Sequence, residues 1–209
     1  MFITIEGIEG GGKTTQVGLL ASAMQQANRA VRVTREPGGT KLGAAVRELL
    51  LHSEVELGRL AELFLILADR AEHVQSVIRP AIAAGEIVLC DRFSDSTLAY
   101  QAYGRGLPLA EVRAVEVVSR QGLRPDLTFV LDCPVGVGLA RTERRRGEAS
   151  ADRFESQQAE FHERVRSGFL SLARDDSARI VVIDGSREPG FVHREILAVV
   201  SQRLGAPLA

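Results

Sequence analysis

Near the start of the chain, Gly7-Ile8-Glu9-Gly10-Gly11-Gly12-Lys13-Thr14 fits the pattern Gly-x4-Gly-Lys-Thr, and each part has a use in holding polyphosphate. Glycines let successive backbone N–H groups turn inward as an anion nest. A helix starting near Lys13 would add the positive end of its dipole. Lys13 offers a compact charge for the β- and γ-phosphates of ATP. Thr14 offers a hydroxyl for the Mg²⁺ that accompanies them. The bland alternative is a Gly-rich strand–helix turn that binds nothing. The lysine weighs against it: Lys13 and Lys41 are the two lysines among 26 Lys plus Arg, and a planar guanidinium does not fill the place of a point charge in a tight nest.

A second feature is Asp91, which ends the apolar run Ile87–Asp91 and is followed at once by Arg92. In parallel α/β sheets, ligands sit at the carboxyl ends of strands, which would place Asp91 to hold Mg²⁺ through water. Taken alone, an Asp here is equally a helix cap or a surface residue, since Leu127–Asp132 and Ile180–Asp184 end the same way. A third feature is the arginine supply at Arg141, Arg144, Arg145, Arg146 and Arg153. Without other motifs this run reads first as a solvated helix face in an Arg-rich chain. With them it suits phosphoryl transfer between two anions. A phosphate monoester is already largely ionised near neutral pH, its second pKa being about 6. Its oxygen then needs no base, but it does need cancelled repulsion, in-line placement and exclusion of water.

These groups must be positioned by the elements between them. Five short β-branched runs, Phe2–Glu6, Val31–Arg35, Ile87–Asp91, Leu127–Asp132 and Ile180–Asp184, read as strands buried on both faces. Helical stretches are predicted at Thr14–Gln26, Lys41–Leu51, Leu57–Ala84, Ser94–Tyr103, Leu109–Arg120, Val135–Arg146, Asp152–Arg174 and His193–Arg203. The alternation predicts an α/β three-layer sandwich whose five parallel strands are flanked by helices. One domain over residues 1–209 is expected, with a mobile lid at about 141–153 and its loosest part at Arg145–Asp152.

Composition narrows the class further. A formal net charge of -1 gives no basic field for nucleic acid. Cys90 and Cys133 lie among apolar residues and read as buried, reduced thiols of a cytoplasmic protein. The N-terminal apolar run is too short for a signal peptide, and no membrane span is expected. His52, His73, His162 and His193 lack metal-ligand spacing and read as surface or structural.

Further stretches carry a resemblance. They are Thr34-Arg35-Glu36-Pro37-Gly38-Gly39-Thr40, Ala68-Asp69-Arg70-Ala71-Glu72-His73, Asp91-Arg92-Phe93-Ser94-Asp95-Ser96-Thr97-Leu98-Ala99-Tyr100-Gln101, Arg124-Pro125-Asp126-Leu127-Thr128 and Asp152-Arg153-Phe154-Glu155. With the loop Ile5–Thr15 they run in the order found in bacterial thymidylate kinases, which the chain resembles over most of its length. The resemblance implies transfer of phosphate from ATP to thymidine monophosphate, with Mg²⁺, by a homodimer. It places Gly7 to Thr14, with Thr15 and Arg141, around ATP. It places Glu9 near the acceptor sugar, Arg70 on thymine, Arg92 on the acceptor phosphate, Thr97 and Gln101 along the base, Tyr100 against C2′ and Pro37 in the opposite wall. Arg145 and Arg146 would join Lys13 and Arg92 as catalytic cations carried by the lid. Two departures stand out. Family members usually carry Phe or Tyr where this chain has Ile66, and Phe64, two positions away, should point elsewhere on a helix. The stretch Thr142–Arg146 is one residue longer than the usual pattern. A deoxynucleoside kinase of the same fold is the nearest rival. A guanine-specific switch is disfavoured, because the sole Asn, Asn28, precedes Arg29 rather than Lys.

Overall fold

The computed structural model describes residues 1–52, 55–147, 151–155 and 157–208. Each apolar run is a strand with the expected bounds: β1 (Phe2–Glu6), β2 (Val31–Arg35), β3 (Ile87–Asp91), β4 (Leu127–Asp132) and β5 (Ile180–Asp184). They form one parallel sheet in the order β2-β3-β1-β4-β5. The inner strands β1, β3 and β4 are buried almost throughout, opening at the terminal carboxylates Asp91 and Asp132. The outer strands are covered less, with Val33 49% and Val182 44% exposed. Burial on both faces therefore holds for the three inner strands alone.

The helices are α1 (Lys13–Gln26), α2 (Lys41–Leu51), α3 (Arg59–His73), α4 (Arg79–Ala83), α5 (Ser94–Thr97), α6 (Leu109–Ser119), α7 (Val135–Arg146), α8 (Ala159–Asp175) and α9 (Pro189–Leu204). Residues alternate across each strand, so β1 sends Ile3 and Ile5 into a core with Val17 and Leu20 of α1 and Ile196 and Val200 of α9. On the other face Leu63 and Leu67 of α3, Val112 of α6 and Val165 and Phe169 of α8 pack around Val130 of β4. Glu6 and Thr4 lie on this second face, by the same alternation.

Two helical expectations hold with a local change of pitch, and a third needs correction. The stretch Leu57–Ala84 is helical from Arg59 to Ala83, as α3 and α4 joined by a π-helical segment at Val74–Ile78. Pro80 follows at once; in a regular α-turn its ring would press on the carbonyl of Ser76, and the wider turn makes room. The stretch Ser94–Tyr103 is likewise α5 followed by a π turn at Leu98–Gly104. The helix expected from Asp152 starts at Ala159 instead. Asp152 Oδ1 accepts the N–H groups of Phe154 and Glu155, each at 2.8 Å, and this local turn replaces the helical bonds. Residues 148–150 of the expected lid lie outside the described residues.

Candidate active site

The loop after β1 is held in a shape that needs glycine. Gly10 has φ 71°, and a Cβ there would lie 2.0 Å from the Gly138 carbonyl oxygen of α7. Gly12 caps α1 from the left-handed region. Inside the loop, Lys13 Nζ donates to the Ile8 carbonyl at 2.8 Å. Burial lowers the Lys13 pKa to about 8, and the neighbouring Arg92 charge lowers it too, against the pull of Asp91, Glu9 and Glu6. Thr14 donates to Asp91 Oδ2 at 2.7 Å, bringing together the two residues expected at the metal.

Two cavities open on this loop. One is walled by Gly10 to Thr15, Arg141, Gly185 and Arg187. The other is walled by Glu9, Pro37, Ile66, Arg70, Asp91, Arg92, Thr97, Tyr100 and Gln101. Gly10, Lys13, Thr14 and Arg145 line both. Every residue expected at the acceptor therefore shares one cavity, and Phe64 is 57% exposed, away from it. The loop residues expected around ATP divide. Gly10 to Thr15 line the first cavity. Glu9 faces the second, the Gly7 carbonyl accepts from Arg92, and Ile8 is buried in the core.

The arginines expected on a lid divide as well. Arg141 donates to the Gly185 and Ser186 carbonyls at 2.7 and 2.8 Å. Arg145, 67% exposed and paired with Glu155, stands where the cavities meet. Arg146 lines neither cavity; it lies 3.9 Å from a Glu155 carboxylate oxygen.

Glu9 is the hub of the second cavity. It accepts from Arg92 Nη2 at 2.8 Å, and Tyr100 Oη lies 2.6 and 2.7 Å from its two oxygens. His162 Nδ1 of α8 lies 3.4 Å away, so this histidine is buried against the site. Burial pushes the Glu9 pKa up, but Arg92, His162, Lys13 and Tyr100 outweigh it and hold the carboxyl well below the usual range. Arg35 and Arg47, which sequence reasoning passed over, line the same cavity as Arg92. Burial lowers the Arg47 pKa, and the charges of Arg35 and Arg92 add to it. Three arginines thus crowd one wall, an arrangement suited to an anion.

Beneath Arg92 lies Glu6, fully buried, which accepts from Phe93 N at 2.8 Å and Ser96 Oγ at 2.5 Å. Burial, then the Asp95 charge, pushes its pKa up to about 7, against the opposing pull of Ser96, Arg92 and the Phe93 N–H. The folded protein then keeps a proton that the unfolded chain has lost. The stabilisation is complete below the unfolded carboxyl pKa, about 4.3, and is lost as pH rises through about 7. Wild-type protein should therefore lose on the order of 3–4 kcal/mol relative to Glu6→Gln across that window. Urea unfolding of both proteins at the two ends of the window measures it, and parallel pH slopes would refute it.

The geometry can be set beside known proteins. A family model for thymidylate kinase matches residues 5–196. A thymidylate kinase of Synechococcus sp. is 52% identical over 209 residues, covering 100% of this chain and 97% of that protein. One from Deinococcus radiodurans is 48% identical over 203 residues, 97% of each chain. The crystal structure of the thymidylate kinase from Ehrlichia chaffeensis aligns with TM-score 0.78 at 37% identity, over 96% of this chain and 98% of that one. The matched segment contains the loop, both cavities and the α7–α8 arginines, and the chain belongs to the thymidylate kinase family.

Proposed function

We propose that this chain transfers the γ-phosphoryl group of ATP to thymidine monophosphate, giving ADP and thymidine diphosphate. The observation that carries the reading is the shared wall of the two cavities, where Lys13, Thr14 and Arg145 face both. ATP in the loop cavity and a monophosphate in the arginine-walled cavity would meet there. Mg²⁺ fits Thr14 and Asp91, two hard oxygen donors that leave room for water and phosphate. Bound there, it would neutralise charge on the β- and γ-phosphates. A caging cluster of three His, Cys, Asp or Glu side chains does not occur among the described residues.

The base end favours thymine. Arg70 spends Nε and Nη2 on Glu36 and one Nη1 proton on Thr97, which leaves it donors for a carbonyl oxygen. Gln101 Oε1 is buried with no partner among the described residues, an acceptor for a ring N–H. A donor beside an acceptor matches O4 and N3–H of thymine and opposes the reversed edge of cytosine. Ile66 packs at the same cavity in place of the usual ring. A hydroxyl acceptor would want a base, and Glu9, held ionised by its neighbours, is a poor one. An ADP-release assay over a panel of nucleoside monophosphates and thymidine tests the reading. Thymidine monophosphate should be the best acceptor; turnover of thymidine in its place would overturn it.

Tyr100 is both a core ring, edge-on to Phe154, Phe161 and Phe169, and a wall of the cavity. A rigid wall against C2′ excludes a hydroxyl by clash. Tyr100→Ala should raise the relative kcat/KM for the ribonucleotide by up to about 10²-fold. Tyr100→Phe should leave that ratio unchanged but lower kcat, because Glu9 loses a donor. Paired ribo- and deoxyribonucleotide kinetics decide it, and an unmoved ratio in folded Tyr100→Ala would return the residue to a packing role.

Two coarser features belong to the same reading. Leu60 and Phe64 on α3 and Val117 and Val118 on α6 are exposed apolar side chains on helices that pack together, and they suit a second copy of the chain. Phe64→Glu should then shift sedimentation to a monomer, and an unmoved sedimentation coefficient would count against it. Cys90 and Cys133 are free and buried, in keeping with a reducing cytoplasm. No helix among the described residues is long and apolar enough to cross a membrane.

A further inference from the structure

The orientation of one amide decides what the base cavity can recognise. Gln101 is fully buried in the π turn after α5 and lines the cavity. Its Nε2 donates to Glu62 Oε1 at 3.1 Å, and its Oε1 has no partner among the described residues. The two ends of a glutamine amide are nearly the same size, so packing alone does not tell them apart. A carboxylate does, because it offers acceptors and no donor.

Glu62 is itself fixed. It lies in the first turn of α3, 2% exposed, and accepts from Arg105 Nε at 3.0 Å and Nη2 at 2.9 Å. Arg105 spends Nη1 on Gln157 Oε1 at 2.8 Å and stacks over the rings of Phe161 and Phe154. The guanidinium thus has little freedom to release the carboxylate, and the carboxylate has none to accept the wrong end of the amide. Neither Glu62 nor Arg105 lines the cavity, so both act through Gln101.

We infer that Glu62, held by Arg105, is a positioning residue that sets the hydrogen-bond polarity of the base cavity by locking the Gln101 carbonyl towards the base. The locked cavity accepts a pyrimidine with a protonated N3 and rejects one whose N3 is itself an acceptor. The inference rests on the thymidine monophosphate reading and names what makes that site selective.

The discriminating probe is the monophosphate of 5-methyldeoxycytidine. It has the shape of thymidine monophosphate but the reversed N3 and position-4 pattern. Glu62→Gln lets the facing amides pair in either orientation. The preference for thymidine monophosphate over this probe should fall at least about tenfold in kcat/KM. The change should lie in KM for the monophosphate, with KM for ATP unmoved. Arg105→Gln, which loosens Glu62 without replacing it, should move the ratio the same way. An unchanged ratio in a variant that melts cooperatively overturns the inference, as does a loss of kcat shared equally by both acceptors. If Glu62→Gln does not fold, the ratio in Arg105→Gln decides by the same criterion. Wild-type protein that fails to prefer thymidine monophosphate over the probe would sink the functional reading itself; a wild-type preference that survives in both variants sinks the role of Glu62 alone.

Discussion

Replacing Lys13 by alanine is expected to lower kcat by about 10²-fold or more, the loss seen when one preorganised donor to a developing charge is removed, while the fold stays intact. Lys13 is 8% exposed and its ammonium touches a backbone carbonyl of its own loop, so it carries little of the packing. Its pKa is lowered to about 8, chiefly by burial and then by Arg92, which means the loop holds this cation at some cost until phosphate arrives. Removing it relieves that cost, and thermal melting of Lys13→Ala should match or exceed wild type. Activity should nevertheless collapse, since Lys13 lines both cavities at the point where the transferring group must lie. Lys13→Arg should not restore it, because a planar fork does not occupy the place of a compact charge in the nest. Steady-state kinetics and melting curves on the two variants make the comparison. A well-folded Lys13→Ala with near-normal kcat would remove ATP from this loop.

What the sequence made legible here followed from local chemistry. The strands were found end to end because β-branched runs bounded by polar residues leave little choice of boundary. The loop was found because its glycines, lysine and threonine act within one short segment. What escaped notice depends on partners far along the chain. Tyr100 and Glu9 are 91 residues apart and Glu62 and Gln101 39 apart, and no spacing rule joins either pair. Family resemblance marked Arg70, Tyr100 and Gln101 as base and sugar contacts, but it did not show that Glu36, Glu9 and Glu62 hold them. A carboxylate closing an apolar strand, as Glu6 closes β1, was the available signal for the buried polar layer under Arg92. The late start of α8 was missed because Asp152 satisfies nearby backbone donors with its own carboxylate, a competition that helical periodicity does not register.

The second large effect is expected at Arg92, where alanine should cost about 10³-fold in kcat/KM for the monophosphate, the upper end for a single charge-stabilising donor. Arg92 donates to the Gly7 carbonyl at 2.8 Å, to Ser96 Oγ at 3.2 Å and to Glu9 Oε1 at 2.8 Å. Its guanidinium also sits over the Tyr100 ring, 4.9 Å from the centroid. One side chain therefore joins the loop after β1, helix α5 and the wall of the second cavity. Its backbone lies at φ 71°, which alanine tolerates no better and no worse than arginine, so strain does not confound the substitution. Arg92→Ala has two consequences that can be separated. The acceptor phosphate loses a cation, and Glu9 loses the strongest of the charges that hold its carboxyl down. Leaving that mostly buried carboxylate underpaired should cost on the order of 1–3 kcal/mol of stability. Adding Glu9→Gln to Arg92→Ala should recover much of the stability and little of the activity. Arg92→Lys should recover charge but not the fork that spans Gly7, Ser96 and Glu9, and so remain well below wild type. The loss should fall on the monophosphate side, with KM for ATP changing far less. Equal loss for both substrates would make Arg92 a strut of the loop rather than a clamp, and full recovery of activity in the double variant would assign the whole effect to the stranded carboxylate.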